Sequence, residues 1–252
     1  MVEGSRFEMQ ATEYDFPYHW LPQRHAGATI PGRDLSWALK YFAYLDRISV
    51  LVMAEAPGRV LDIGCGDGRL LAVLAEMGVA RLVGVEPVSQ AAAFARAMLM
   101  RYGDTTSVIE SRVESLDESE FDVATLVQVL EHIPDTEIDS TMAAIASRLR
   151  SGGTLIISVP TENLPVAPKH ERHYTAELVA RQVSPSFEVQ SVEYLHRVGT
   201  VDAVLRRLVS NRLYALKSET LLRCVALLYR RYVLPAEAAT GAELIAVCRK
   251  RS

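Results

Sequence analysis

The chain has 252 residues, 49% hydrophobic and 23% charged, enough for one α/β domain with added elements and a core of its own. Its net charge of −4 offers no general attraction for nucleic acid. Three widely spaced cysteines, Cys65, Cys224 and Cys248, form no CxxC pair, which argues against a disulfide framework or zinc ribbon and fits a reducing cytoplasm; the N-terminus lacks a signal-peptide core, and no apolar run approaches the ~18 residues of a membrane span.

Residues 1–57 read as an N-terminal extension, with aromatics at Tyr14, Phe16, Tyr18 and Trp20 and a helix around 34–54. From about position 58, short apolar runs alternate with helical patterns, the sequence form of a parallel α/β sheet. Strands are predicted at Arg59–Ile63, Arg81–Glu86, Ser107–Glu110, Phe121–Val127, Thr154–Val159, Phe187–Tyr194 and Ala242–Cys248. The intervening helices fall at Gly68–Met77, from the cap Ser89 to Arg101, at Glu137–Arg150 with a stop at Gly152-Gly153, and from the cap Thr175 to about Gln182. Residues 198–233 interrupt the last two strands with one or two helices. The predicted fold is thus a Rossmann-like seven-stranded α/β sheet over 58–252, with an N-terminal arm and a helical insertion expected to build the pocket for a small-molecule substrate.

The most informative stretch is Val60-Leu61-Asp62-Ile63-Gly64-Cys65-Gly66-Asp67-Gly68, a strand ending in an acid and three alternating glycines. Glycine lets backbone turn tightly against a ligand, here at the carboxyl end of a parallel strand where such folds bind ligands. A dinucleotide fingerprint needs a third glycine where Arg69 stands, and its acid should follow rather than precede the glycines. Glu86 ends the second strand, 24 residues beyond Asp62, and its two carboxylate oxygens can accept from two adjacent hydroxyls.

The D-x-G-x-G-x-G pattern, with Glu86 and the later segments in order, resembles the class I S-adenosylmethionine (SAM) dependent methyltransferases, whose last strand runs antiparallel between the fifth and sixth. The resemblance covers about 58–195 and 242–248. It implies SAM as cofactor: Asp62 toward its ammonium, the backbone at Gly64, Cys65 and Gly66 along its amino-acid portion, Glu86 on the ribose. Val113 and Glu114 would read the adenine, although Arg112 stands where the family usually has an acid. Gln128 and Leu130 would pass near the sulfonium and ribose.

Four segments are candidates for the acceptor side. In Gln128-Val-Leu-Glu131-His132-Ile-Pro-Asp135, His132 either takes a proton or organises the loop. In Lys169-His170-Glu-Arg-His173-Tyr-Thr175, His170 is the preferred base, and His173 is a loop hydrogen-bonder that would also lie near substrate. Ubiquinone-type O-methyltransferases and bacterial RNA 3′-terminal 2′-O-methyltransferases look similar here and carry E-x-x-E-H plus a later histidine around a divalent ion. Their first glutamate falls at Gln128, a poorer cation ligand, so the sequence reading assigns no metal. The aromatic stretch containing Tyr18 and His19 reads as a packed arm or a lid reaching the substrate. Segment 197–231 holds eight basic residues against Asp202 and Glu219, and reads as a solvated cap face or a contact for a membrane surface or anionic substrate. The leading functional reading is methylation of an oxygen on a small metabolite or sugar. N-methylation of an amine, RNA ribose 2′-O-methylation and cofactor binding without turnover stand as alternatives, the RNA reading being opposed by the acidic net charge and Gln128.

Overall fold

The computed structural model describes residues 23–25, 28–30, 35–209 and 218–251. Strands β1 (Gln23–His25) and β2 (Ala28–Ile30) form an antiparallel pair of their own. Helix α1 (Leu35–Ala54) follows. The main sheet contains β3 (Arg59–Ile63), β4 (Arg81–Val85), β5 (Thr106–Ile109), β6 (Phe121–Val127), β7 (Leu149–Pro160), β8 (Phe187–Arg197), β9 (Pro235–Ala236) and β10 (Gly241–Lys250). Its order is β5-β4-β3-β6-β7-β10-β8-β9, with β10 antiparallel to both β7 and β8. This is the expected sheet with a two-residue eighth strand added at its edge, where β9 pairs with Tyr194 and Leu195.

Alternating side chains of the buried strands feed two cores, making a three-layer α/β/α body. Leu61, Val83 and Ala124 point to the layer of α4 (Ile138–Arg148) and α5 (Ala176–Val183). Val60, Leu82 and Val123 point to the opposite layer, with α1, α2 (Arg69–Glu76) and α3 (Ser89–Leu99). Helix α1 is also clamped electrostatically, by Arg47 on Glu193 and by Lys40 on the buried Glu243, the latter at 2.8 Å. The described residues of the insertion form two helices, α6 (Thr200–Val209) and α7 (Glu219–Tyr232). Leu205 of α6 and Tyr229 of α7 pack with Leu39 and Ala43 of α1. Among the described residues, no helix is long and apolar enough to cross a membrane.

Several boundaries differ from the sequence reading: β4 ends at Val85 rather than Glu86, β5 is shifted to Thr106–Ile109, and β7, β8 and β10 are longer than predicted. The third helix of the predicted core ends at Arg148 rather than Arg150, because buried Leu149 turns extended and pairs with Phe121. Gly152 (φ 63°) therefore lies within β7 instead of stopping a helix. Ser89 is the first helical residue rather than the cap; the capping position is Val88, whose N–H donates to Glu86.

Gly84 shows how tightly the sheet is built under the glycine loop. A Cβ there would lie 2.6 Å from Cys65 Sγ and 2.8 Å from Leu71 Cδ1. Gly84→Ala is expected to destabilise the fold by about 1–3 kcal/mol through overpacking. Denaturant melts would register this loss, and an unchanged midpoint would contradict the tight contact.

Candidate active site

Loops from the carboxyl ends of β3, β4, β5 and β6 line one cleft of about 580 Å³, at the point where the strand order reverses. Gly64 (φ 68°) turns the chain out of β3, and a Cβ there would meet Val129 Cγ2 at 2.4 Å. Asp62 is buried and accepts a 2.7 Å bond from Thr125 Oγ1. Burial, reinforced by Glu86 and Asp67, outweighs that bond and pushes its carboxyl up to about 7. Glu86 is also buried and raised, by burial offset by its backbone donors. Its Oε2 accepts from Gly66 N at 3.0 Å and its Oε1 from Val88 N at 2.8 Å, so one carboxylate braces two loops. Val113 and Glu114 line the next wall, where Glu114 accepts from Thr141 Oγ1 at 2.7 Å. Arg112, in the departure position, pairs with Glu137. Gln128 takes a positive φ of 57°, and its side-chain amide lies 3.3 Å from Ser158 Oγ.

The other end of the cleft holds Glu131, His132 and His170, one ligand atom of each lying within 4.8 Å of the others. Their two loops are stitched together: Glu171 N donates to Glu131 O at 2.7 Å, Arg172 to Ile133 O at 2.8 Å, and Tyr174 OH to Leu130 O at 3.1 Å. Glu131 is fully buried and neither carboxylate oxygen has a hydrogen-bond partner among the described residues. Burial, with Glu243 nearby, pushes it up to about 8. His170 is half-buried; burial, together with His132, His173 and Lys169, pushes it down to about 3. His173 is buried outside the cleft lining and contacts His170 at 2.9 Å. The sequence reading placed His173 near substrate; it instead sits behind His170.

Asp62, Gly64, Cys65, Gly66, Glu86, Val113, Glu114, Gln128, His132 and His170 thus share one cleft, as expected. Tyr18 and His19 lie outside the described residues. Sequence reasoning missed the roof: Trp37, Lys40, Tyr41 and Tyr44 of α1, and Glu243 of β10. The aromatic spacing at 37, 41 and 44 was a legible signal of one helix face, whereas Glu243 reaches the cleft only through the antiparallel insertion of β10. A second cavity of about 360 Å³ shares Trp37 and Lys40 with the first and is walled by Asp202, Leu205 and Tyr229 of the insertion. Two of the basic residues there are committed to ion pairs, Arg206 with Asp202 and Arg230 with Asp46.

The profile of a protein family described as "Methyltransferase domain" matches residues 18–200. The ubiquinone biosynthesis O-methyltransferase of Aromatoleum aromaticum is 36% identical over 108 residues, covering 42% of this chain and 45% of the relative. The chain spans about half the length of the curated relatives it matches. Among solved structures, the N-methyltransferase NodS of Bradyrhizobium japonicum, in complex with S-adenosylhomocysteine (SAH), superposes with a TM-score of 0.61 at 15% identity over all of both chains. The 1,6-didemethyltoxoflavin-N1-methyltransferase of Burkholderia thailandensis gives 0.60 at 20% identity, covering 86% of this chain and 81% of that one. At such identities the structural likeness speaks for the fold alone.

Proposed function

Since this chain belongs to the class I SAM-dependent methyltransferase family, we propose that it transfers a methyl group from SAM to an oxygen of a small-molecule acceptor. The observation that carries this reading is one cleft with two chemically distinct ends. Asp62, the glycine loop and Glu86 suit a cofactor with an ammonium and a ribose, and Glu131, His132 and His170 suit a hydroxyl that must lose its proton. The printed names of the curated relatives, O-methyltransferases of ubiquinone biosynthesis, agree with oxygen as the acceptor atom.

In this reading Asp62 faces the cofactor ammonium, while the backbone at Gly64, Cys65 and Gly66 lies along its amino-acid portion. Glu86 holds the ribose, Val113 and Glu114 flank the adenine, and Gln128 lies near the sulfonium. The sulfonium is already a good leaving group, so positioning supplies much of the acceleration. Helix α1 roofs the cleft with Trp37, Tyr41 and Tyr44, and the insertion 198–233 extends the acceptor pocket through the second cavity. His132 and His170 contact the acceptor hydroxyl. His170 stays neutral at physiological pH and is too weak a base to hold the proton, which leaves His132 to receive it, joined by Glu131 only above about pH 8, where that carboxyl ionises. The unpartnered, buried Glu131 carboxylate beside two imidazoles also fits a divalent cation, which when bound would acidify the acceptor hydroxyl.

The test is turnover with labelled SAM across a panel of phenols, sugars and amines. His132→Ala, which removes a proton acceptor, and His170→Ala, which removes a contact that orients the acceptor hydroxyl, are each expected to lower kcat about 100-fold while changing SAH affinity little. Methylation confined to amines would overturn the acceptor class. Unchanged turnover in both variants would remove the histidines from the chemistry.

A further inference from the structure

Residues 198–232 hold eight of the thirteen large apolar side chains exposed among the described residues. Single exposed apolar residues are ordinary, but such a concentration marks a surface that something covers. Helical spacing sorts these side chains into stripes. Val201, Val204 and Leu208 recur at i, i+3 and i+7 on one face of α6, and Leu221, Leu228 and Tyr232 at i, i+7 and i+11 on one face of α7, each 51–55% exposed. These are not the faces that pack on the body. That contact is made by Leu205 of α6 and by Tyr229 and Val233 at the inner side of α7, against Leu39 and Ala43 of α1. Each helix therefore carries a second apolar stripe, turned outward.

Charge decides what covers the stripes. The two helices carry Arg206, Arg207, Arg223, Arg230 and Arg231 against Asp202 and Glu219, in a chain of net charge −4. Arg206 and Arg230 are neutralised by Asp202 and Asp46. Arg207 and Arg231 are exposed and form no ion pair among the described residues. Each adjoins a stripe: Arg207 precedes Leu208, and the Arg231 guanidinium lies 5.6 Å over the Tyr232 ring. Unpaired arginine beside an outward apolar stripe is the pattern of a helix lying in a membrane interface. The apolar side chains enter the acyl boundary while the guanidinium groups stay with anionic headgroups. A second copy of the chain would instead set these arginines against their own kind, like charge on like.

We propose that α6 and α7 dock the protein on an anionic membrane surface, with the two stripes entering the interface and Arg207 and Arg231 on lipid phosphates. Helix α6 also walls the second cavity with Leu205 and Val209, so the docked face adjoins the extension of the proposed acceptor pocket. The docking rests on exposure and charge, and does not depend on which atom is methylated.

The test is co-sedimentation of the full chain with vesicles of phosphatidylcholine alone and of phosphatidylcholine mixed with phosphatidylglycerol. Binding to the anionic vesicles is expected to be at least about tenfold tighter, and to weaken as salt is raised. Arg207→Glu combined with Arg231→Glu should weaken it about thirtyfold or more. Leu208→Ser combined with Leu228→Ser should weaken it at least about tenfold at low and high salt alike. None of these four residues lines either cavity, and the melting temperature of each variant reports that it is folded. In the wild type, a polarity-sensitive dye on Cys224, the exposed cysteine between Leu221 and Leu228, should shift to the blue on anionic vesicles. Equal binding to both vesicles, binding to neither, or binding unmoved by both double variants overturns the proposal. A dimer in solution that Leu208→Ser disperses, without vesicle binding, would give the face to a second copy and overturn it too. Vesicle binding needs neither cofactor nor acceptor, so its failure leaves the methyl-transfer reading intact, and failure of SAH binding leaves the docking intact.

Discussion

Glu86→Ala and Asp62→Ala are each expected to weaken SAH binding at least about 100-fold, because each removes charge-assisted hydrogen bonds worth about 1.5–3 kcal/mol apiece. For Glu86 the loss is double. Its carboxylate would leave the ribose hydroxyls unheld, and it would also release Gly66 N and Val88 N, the two backbone donors that shape the cofactor loops. Glu86→Gln is a milder probe, since its amide keeps one acceptor. Asp62 adds a pH signature. Its carboxyl sits at about 7 in the free protein, and an ammonium partner requires the ionised form. Binding below that pH must first expel a proton, so SAH affinity is expected to fall by up to about tenfold per pH unit as pH drops below 7. Asp62→Asn should flatten the profile. The linked stability effect has the opposite sense: a carboxyl raised from 3.8 to about 7 contributes stability below pH 3.8 that is lost as pH rises through 7. The free protein should therefore melt earlier at pH 8 than at pH 6, and SAH should restore more at the higher pH.

Glu131→Gln is expected to move stability and turnover in opposite directions in metal-free protein. An acid raised from 4.5 to about 8 contributes stability below pH 4.5 that is lost as pH rises through 8, so the native carboxylate is most costly in alkaline solution. The amide removes the ionisation, keeps the shape, and brings an NH₂ that can donate to the neighbouring imidazole lone pairs. Differential scanning at pH 8.5 should show a melting temperature raised by about 2–4 °C for each kcal/mol relieved, with the gain shrinking as pH falls and disappearing only below about pH 4.5. Turnover should fall about 100-fold or more above pH 8, where the ionised Glu131 carboxylate would take the acceptor proton. A variant as active as the wild type, or no more stable than it at pH 8.5, would contradict the role given to Glu131.

The sheet and the cofactor end of the cleft were legible because their signals are local. The run Val60–Ile63 with its glycines specifies strand, turn and helix within a dozen residues, and β3 and β6 have the bounds their apolar runs predict. The errors fall where a distant partner overrides a local preference. Leu149 leaves its helix because Phe121 offers it a sheet partner, and Gly152 then serves a strand instead of a cap. The acceptor end was half-legible. His132 and His170 stand out in sequence, but only the fold shows that His173 Nε2 backs His170, or that buried Glu131 joins them. Glu243 and Lys40 were invisible as cleft residues because they come from β10 and α1, some 200 residues apart in the chain yet 2.8 Å apart in space. Cys65 is a further case of a residue whose setting only the fold reveals. Nothing in its sequence neighbourhood says that Gly84 must lack a side chain to make room for it.

Calorimetric titration of the wild-type chain decides whether the Asp62–Gly68 loop and Glu86 form a SAM site. SAH should bind one to one, more tightly at pH 8 than at pH 6, and NAD⁺ should neither bind nor compete. Absence of SAH binding at both pH values, or displacement of SAH by NAD⁺, would contradict the account.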